Sequence, residues 1–551
     1  MTSGAMRVVT TVLTAAAVGA GTAGAAQRAV AQEPALTPAE WREDLAVLGT
    51  RLPILHPNPF HLLPETHFRA EIDALAAAAD TASPADMLVG IGRIVAALGD
   101  GHTGARILLP WMRGFPLLIQ VEGDGVRIRR IAAEQRALLG TRIIEVEGQA
   151  VAEVIERLTT VIPADNRMGT RAWMPFYFAT REVFEGLGLL DADPGLQLVV
   201  EHRDGRRERI TVAPRPLGEV ETLLLQDTSA IARAGDRAPR PVREQGSDNY
   251  WFRPLPEHRA MFVRIDRLVS VAQWPFEAFV DSLFRSAVRM DAERLILDLR
   301  SLGGGNHISL PLIHALVRSE RFATRGRLFV LIGRGTFSAG QNLVTLLGVH
   351  LSPIWVGEPT AGRPNHYGVV GRFVLPHSGV EIRHARYFIQ DSDPADYRHW
   401  QAPHLCAPPS VAAELEGRDP ALETALGFGV HFGWAEALAH FESEFSREGL
   451  DGASRVARDS AASLRSAGWV VEQEVVAMGY RLLRARRIED AVALFRLATG
   501  LFPDGWNAHD SLGDALREAG RPAEARAAYL RALELNGYDD NARRGLRLVG
   551  S

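Results

Sequence analysis

The sequence predicts an α/β core with a helical part before it, a β-rich segment between the two, and an all-α region at the C-terminal end. Three observations predict this. Two strand–turn–helix units, Arg294–Asn306 (RLILDLRSLGGGN) and Arg327–Asn342 (RLFVLIGRGTFSAGQN), open on apolar, β-branched runs and break at glycines before helical spacing resumes. Val126–Ile131 alternates as a half-buried strand does. From Gly479 onward, small and aromatic residues recur with a period of 34.

The chain has 551 residues, which suggests several modules at roughly 150 residues each. Hydrophobic content of 46% and charged content of 23% are those of an ordinary globular protein. The formal net charge is −5, with no long basic or acidic run, so neither nucleic acid nor an anionic membrane surface is expected as a partner. Cys406 is the single cysteine, so no intrachain disulfide or thiolate cluster can form. There is no HExxH pair or acidic calcium loop, and no metal or cofactor is expected.

The first residues read as a signal peptide, residues 1–31. Arg7 is the only charge before the Ala-rich run Val8–Ala26, and Ala29-Val30-Ala31 offers a small-residue cleavage site, with Ala23-Gly24-Ala25 as a second. An exported chain, periplasmic or extracellular, without a stable membrane span is the expectation. Residues 36–104 follow as a helical part. Trp41, Leu45, Leu48 and Leu52 keep a helical period, as do Phe68, Ile72, Leu75 and Ala76. A third helix over Met87–Leu98 runs into Gly99-Asp100-Gly101-His102-Thr103, which places His102 on a glycine-flanked loop.

Residues 105–215 read as mostly β. The phrase Leu139–Val151, strand then turn then helix, resembles the second half of a PDZ domain, without the usual carboxylate-binding loop near Gly114–Leu117. Residues 216–248 are rich in Arg, Pro and Gly and read as a linker. The core is expected over 249–430, with a third strand at Ile354–Val356 and a hairpin whose strands are Phe373–Leu375 and Val380–Ile382. In the last region, 431–551, Gly479 matches Gly513, Ala491 matches Ala525, Phe495 matches Tyr529 and Ala498 matches Ala532. That is the tetratricopeptide pattern, with repeats at about 472–505 and 506–539 and a capping helical pair from Trp434 to about Glu472. Such a region is a candidate surface for a protein partner.

The chemistry lies in the two opening units. Gly303, Gly304 and Gly305 let main-chain N–H groups converge on an anion. Ser338 stands where a helix begins, as either an N-cap or a nucleophile. A phosphate loop is a poor reading, because no Lys-Ser or Lys-Thr follows the glycines and no dinucleotide fingerprint is present. One turn suited to an oxyanion beside one presenting a hydroxyl points to acyl transfer.

Leu98–Thr103 (LGDGHT), DLRSLGGGN, TFSAGQN, VGEPTAGRPNHYG and GRDPALETAL together carry a resemblance. From about Leu36 to Leu426 the chain resembles the tail-specific, or carboxyl-terminal processing, serine peptidases, a family that includes the tricorn core protease and the domains of interphotoreceptor retinoid-binding protein. The resemblance implies a crotonase- or ClpP-like α/β spiral core, with Ser338 as nucleophile. It implies an oxyanion hole from Gly304 or Gly305 with the Ala339 N–H. The processing peptidases carry a lysine base where this chain has Arg363, and arginine stays protonated. The tricorn-like branch takes its base from an N-terminal histidine, which here is His102, with Gly101 where that branch has a serine. Asp100, Thr103 and Glu358 are candidates to orient the imidazole, His366 is a rival base or substrate contact, and Arg363 is a candidate clamp for a substrate carboxylate.

The implied function is an exported serine endopeptidase acting on peptides or proteins without a cofactor. The alternative is a catalytically inactive member that binds peptides or hydrophobic ligands. For the enzyme, an unperturbed imidazole would make activity rise through about pH 6 to 7.

Overall fold

The computed structural model describes residues 35–123, 125–190, 195–220, 249–324, 326–394, 396–428, 434–466 and 468–550. The expected signal peptide and residues 221–248 of the expected linker lie outside these.

The N-terminal part is three helices, Pro38–Leu55, Glu65–Ala78 and Pro84–Ala96. Capping boxes start the first and third, from Thr37 with Glu40 and from Ser83 with Asp86. Trp41, Leu45, Leu48, Leu52, Phe68, Ile72 and Met87 share one core, as their helical period requires. Gly99, at φ 72°, ends the third helix and turns the chain into the loop of His102. Strand β1 (Gly104–Ala105) follows.

Next come β2 (Arg113–Gly114), β3 (Leu117–Glu122), β4 (Gly125–Ile131), β5 (Arg142–Val146) and β6 (Gln149–Ala150). After three helices the chain returns through β7 (Leu196–Glu201), β8 (Arg207–Val212) and β9 (Arg215–Pro216). The sheet runs β3-β4-β5-β7-β8, antiparallel throughout, with β6 on β5 and with β2 and β9 paired apart. The β-rich expectation needs correcting here. A helix from Val151 was expected, but Arg167–Phe178 and Arg181–Gly186 are helical too. Their aromatic run (RAWMPFYF) has strand-like composition. Asn166 overrides it by accepting from the Met168 and Gly169 N–H groups, and Met174, Tyr177 and Phe178 are then buried.

The core sheet runs β10-β11-β12-β13-β14-β17, where β10 is Tyr250–Leu255, β11 Ala260–Ile265, β12 Arg294–Asp298, β13 Leu328–Ile332, β14 Ile354–Gly357 and β17 Leu405–Cys406. Only β10 and β11 are antiparallel; every later pair is parallel. All five residues of β13 are buried, as a parallel strand covered on both faces must be. One face carries Val330, Ile332 and Leu297 against the helices Phe276–Arg289, Leu310–Arg318 and Ala339–His350. On the other face Phe329, Leu331, Ile354 and Val356 meet Ala421 and Ala425. That cluster continues into the C-terminal helices through Phe441, Val471 and Phe495.

The expected short hairpin is a long arm. Strands β15 (Asn365–Val374) and β16 (Glu381–Gln390) form it, and β1 adds to β16 in the order β1-β16-β15. Its tip is fastened to the first helix, where Asp44 accepts from the His377 and Ser378 N–H groups at 2.9 and 2.8 Å.

The C-terminal region is helical over Trp434–Asp459, Ala461–Ser466, Trp469–Arg484, Ile488–Leu501, Trp506–Glu518, Pro522–Leu535 and Asp540–Val549. A Cβ on Gly479 would lie 2.3 Å from the Phe495 ring, and one on Gly513 would lie 2.5 Å from the Tyr529 ring. The small-against-aromatic contact therefore recurs one period later, as the sequence expects. Among the described residues no helix is long and apolar enough to cross a membrane.

Candidate active site

The two glycine-broken turns follow β12 and β13 at the carboxyl ends of adjacent parallel strands, where α/β sheets place their sites. They are fastened to each other. The Phe337 N–H donates to the Leu302 carbonyl at 3.0 Å, and Thr336 Oγ1 donates to the Leu299 carbonyl at 2.8 Å. A Cβ on Gly340 would stand 2.2 Å from the Leu302 carbonyl oxygen, so only glycine permits this approach. Ser338 is left at φ 53°, ψ −122°, a strained conformation for a residue with a side chain. It makes no capping hydrogen bond. Its Oγ lies instead 2.9 Å from His102 Nε2.

Ala339 is the first residue of its helix, so its N–H has no intrahelical acceptor. In the facing turn, the Gly304 carbonyl accepts from the Leu268 N–H and the Asn306 N–H donates to the Leu268 carbonyl, at 3.3 and 2.7 Å. In a trans peptide this turns the Gly305 N–H away from Leu268. Gly305 sits at φ 147°, and a Cβ there would be 2.5 Å from the Leu268 carbonyl oxygen. A Cβ on Gly304 would meet nothing within 4 Å, so that position does not demand glycine.

The His102 loop is held by buried carboxylates. Asp100 accepts from the His102 N–H at 2.7 Å, from His56 Nε2 at 2.9 Å and from the Thr103 hydroxyl. Thr103 Oγ1 in turn accepts from the Ala385 N–H at 3.0 Å, tying the loop to β16. Asp165 accepts from the Gly101 N–H at 2.7 Å. Asp100 and Thr103 therefore hold the backbone around the imidazole, not its ring. The Phe337 ring stacks on the imidazole with centroids 4.5 Å apart. A Cβ on Gly101 would come within 2.9 Å of that ring, so the close stacking requires a glycine there.

Burial drives the His102 pKa down to about 4; the neighbouring His366 ring pushes the same way, against Asp100 and the Tyr367 main chain. That lies below the window of pH 6 to 7 expected of an unperturbed imidazole. Burial would raise Asp100, but the hydrogen bonds from His56 and Thr103 outweigh it and leave its pKa lowered. Asp165 has no comparable set of donors. Burial, then the Asp100 charge, raises it to about 7.

The other candidates divide. His366 joins the site, its ring stacked at 14° and 5.6 Å on His102. Its Nδ1 donates to the Arg363 carbonyl at 3.0 Å, which leaves Nε2 as an acceptor. Arg363 donates from Nε to the Asp165 carbonyl at 2.9 Å and so braces the segment behind Gly101. Glu358, expected as an orienting group, is held by Arg334 in a two-pronged pair at 2.7 Å on each side. Arg334 continues to the Val121 carbonyl at 2.9 Å, so this pair joins the core to β3. Among the described residues no carboxylate accepts from His102 Nδ1.

Reading the sequence missed His56, Asp165 and Phe337. His56 sits in the turn Leu55–Pro59 and Asp165 just before the Asn166 cap, and neither carries a motif. Phe337 lies inside the nucleophile segment and reads as core.

No family model matches the sequence, and no curated protein does. Solved structures match by shape. Mature CPAF has 13% identity and a TM-score of 0.50, covering 70% of this chain and 96% of its own. The photosystem II D1 C-terminal processing protease has 14% identity and a TM-score of 0.33, covering 69% and 98%. The tricorn protease has 12% identity and a TM-score of 0.30, covering 71% of this chain and 36% of its own. Over the aligned 70% of its length the chain shares the fold of mature CPAF.

Proposed function

We propose that the chain is an exported serine endopeptidase. The observation that carries this reading is the 2.9 Å contact between Ser338 Oγ and His102 Nε2, made by a serine in a strained turn that caps nothing. Ser338 Oγ attacks the peptide carbonyl carbon as its proton passes to His102 Nε2. The carbonyl electron pair moves onto oxygen, among the N–H groups of Ala339 and Gly304 or Gly305. Collapse breaks the C–N bond, and the leaving amine takes the proton from His102. Water repeats the sequence on the acyl-enzyme. Burial supports the base role, because a neutral imidazole is available at all but acid pH.

Residues 1–31 would direct export. The β3–β8 layer is read as PDZ-like and as a substrate gate, and the C-terminal helices as tetratricopeptide repeats that hold a protein partner. One observation favours the alternative of a non-catalytic carrier, namely that no carboxylate accepts from His102 Nδ1 among the described residues. A serine-directed fluorophosphonate decides between the two. The peptidase is labelled at Ser338, and Ser338→Ala abolishes peptide hydrolysis with an unchanged circular dichroism spectrum. An unlabelled parent chain, or a Ser338→Ala variant that cleaves at the parent rate, would refute the mechanism.

A further inference from the structure

Three consecutive residues, Asp165, Asn166 and Arg167, run from the candidate site to the C-terminal helices. Asp165 accepts from the Gly101 N–H at 2.7 Å, one residue before His102, and its own carbonyl accepts from Arg363 Nε at 2.9 Å. Asn166 Nδ2 donates to the carbonyls of His399 and Thr360, at 2.7 and 3.3 Å. Arg167 opens the helix Arg167–Phe178 and reaches the turn between the last two helices of the chain, where its Nη2 donates to the Gly537 carbonyl at 3.2 Å.

Aromatic rings hold Arg167 there. Its guanidinium lies over the Trp400 ring at 5.0 Å and over the Tyr538 ring at 5.3 Å, and the two rings meet edge to face at 6.4 Å. Burial first, then the charges of Arg543 and Arg171, lower the Arg167 pKa to about 10, so the group is still a cation at neutral pH and both rings attract it. Arg171, one turn further along the same helix, donates from Nη1 to the Tyr538 hydroxyl at 3.3 Å. The turn itself is seated on the core sheet, because Asn536 Oδ1 accepts from the Cys406 thiol at 3.4 Å and from the Tyr538 N–H at 3.1 Å. Energetic coupling between distant groups travels through such rows of packed side chains and hydrogen bonds.

We propose that Arg167 is a positioning residue, through which the Gly537–Tyr538 turn of the C-terminal helices sets the His102 loop against Ser338. None of these contacts touches the reacting atoms. Breaking them displaces the base and lowers kcat, while KM stays in place. The C-terminal helices then serve the candidate site directly. The inference rests on the peptidase reading of that site.

The test uses the full chain with p-nitrophenyl acetate, a small acyl donor. The variants are Arg167→Ala and Tyr538→Ala. Each is expected to lower kcat about tenfold with KM within about twofold of the parent. The double variant should be no slower than the slower single one, because both break the same link. Tyr538→Phe keeps the ring over the guanidinium and should return kcat to within about threefold of the parent. Phe495→Leu, in the helix Ile488–Leu501 where the ring packs on Gly479, should lower Tm and leave kcat unchanged. Hydrogen–deuterium exchange over Gly99–Thr103, which needs no turnover, should quicken in both alanine variants. Parent values of kcat and of exchange in both would overturn the proposal. So would an equal loss of kcat in Phe495→Leu, which would make the effect one of general stability. A parent chain that hydrolyses no acetate and takes no fluorophosphonate label, with exchange still quickened in both alanine variants, would remove the peptidase reading and leave the link to the loop standing.

Discussion

At the scale of single residues, burial decides how the candidate base behaves. With His102 held at about pKa 4, the acid limb of kcat/KM should be half-maximal near pH 4, with a plateau from about pH 6 to 8. A limb near 6.5 would show that solvent reaches the ring. His366 contributes to the depression, so His366→Gln should move the limb upward in a pH–rate profile. Asp165 gives a stability prediction of the opposite slope. Its folded pKa is raised to about 7, so between about pH 4 and 7 the folded state binds more protons than the unfolded state. Stability from this group is then lost as pH rises through that window, by about 4 kcal/mol in all. Asp165→Asn mimics the protonated form. Relative to the parent, its Tm should gain steadily from pH 4 to 7, and thermal melts across that range would check it.

At the scale of elements, the site depends on two turns and one loop fitting together without side-chain volume to spare. Gly101 is the sensitive point, because any Cβ there meets the Phe337 ring that packs on the imidazole. Gly101→Ala should push His102 off Ser338 and cost roughly 10²-fold in kcat, the usual penalty for a displacement of about 1 Å. Adding Phe337→Leu should restore part of the loss, and kinetics on the single and double variants would check this. Much at this scale is legible in sequence. The strand runs of β12, β13 and β14 and the helical periods of Trp41–Leu52 and Phe68–Ala76 follow from local pattern, whereas the third helix, expected from Met87, begins at Pro84 behind the Ser83 cap. The helices Arg167–Phe178 and Arg181–Gly186 do not follow from pattern, because their aromatic content mimics strands and only the Asn166 cap and burial against the β3–β8 layer settle them. The expected strand begins at Phe373, and pairing with β16 carries it back to Asn365.

At the scale of the whole molecule, the C-terminal helices have a structural consequence besides any partner they hold. A parallel sheet needs cover on both faces. The second face of this one, with Phe329, Leu331, Ile354 and Val356, opens onto a core that continues into residues beyond 434. Phe428 packs edge-on against Phe329 at 5.4 Å, and Trp506 Nε1 donates to the His404 carbonyl at 3.3 Å. Ending the chain after residue 428 should therefore lower Tm and promote aggregation, as differential scanning calorimetry and light scattering would show. A truncated chain as soluble and stable as the parent would mean that the sheet face closes by itself.

The candidate nucleophile, the glycine turns, the histidine loop and the helical repeat are legible along the chain, because each is a local matter of backbone freedom, capping or periodicity. Packing in three dimensions, and nothing local, brings Ser338 and His102, 236 residues apart, to 2.9 Å. The same packing pairs Glu358 with Arg334 and sets Asp165, His56 and Phe337 around the loop. Those assignments turn on which groups share a buried volume, and distance along the chain carries no record of that.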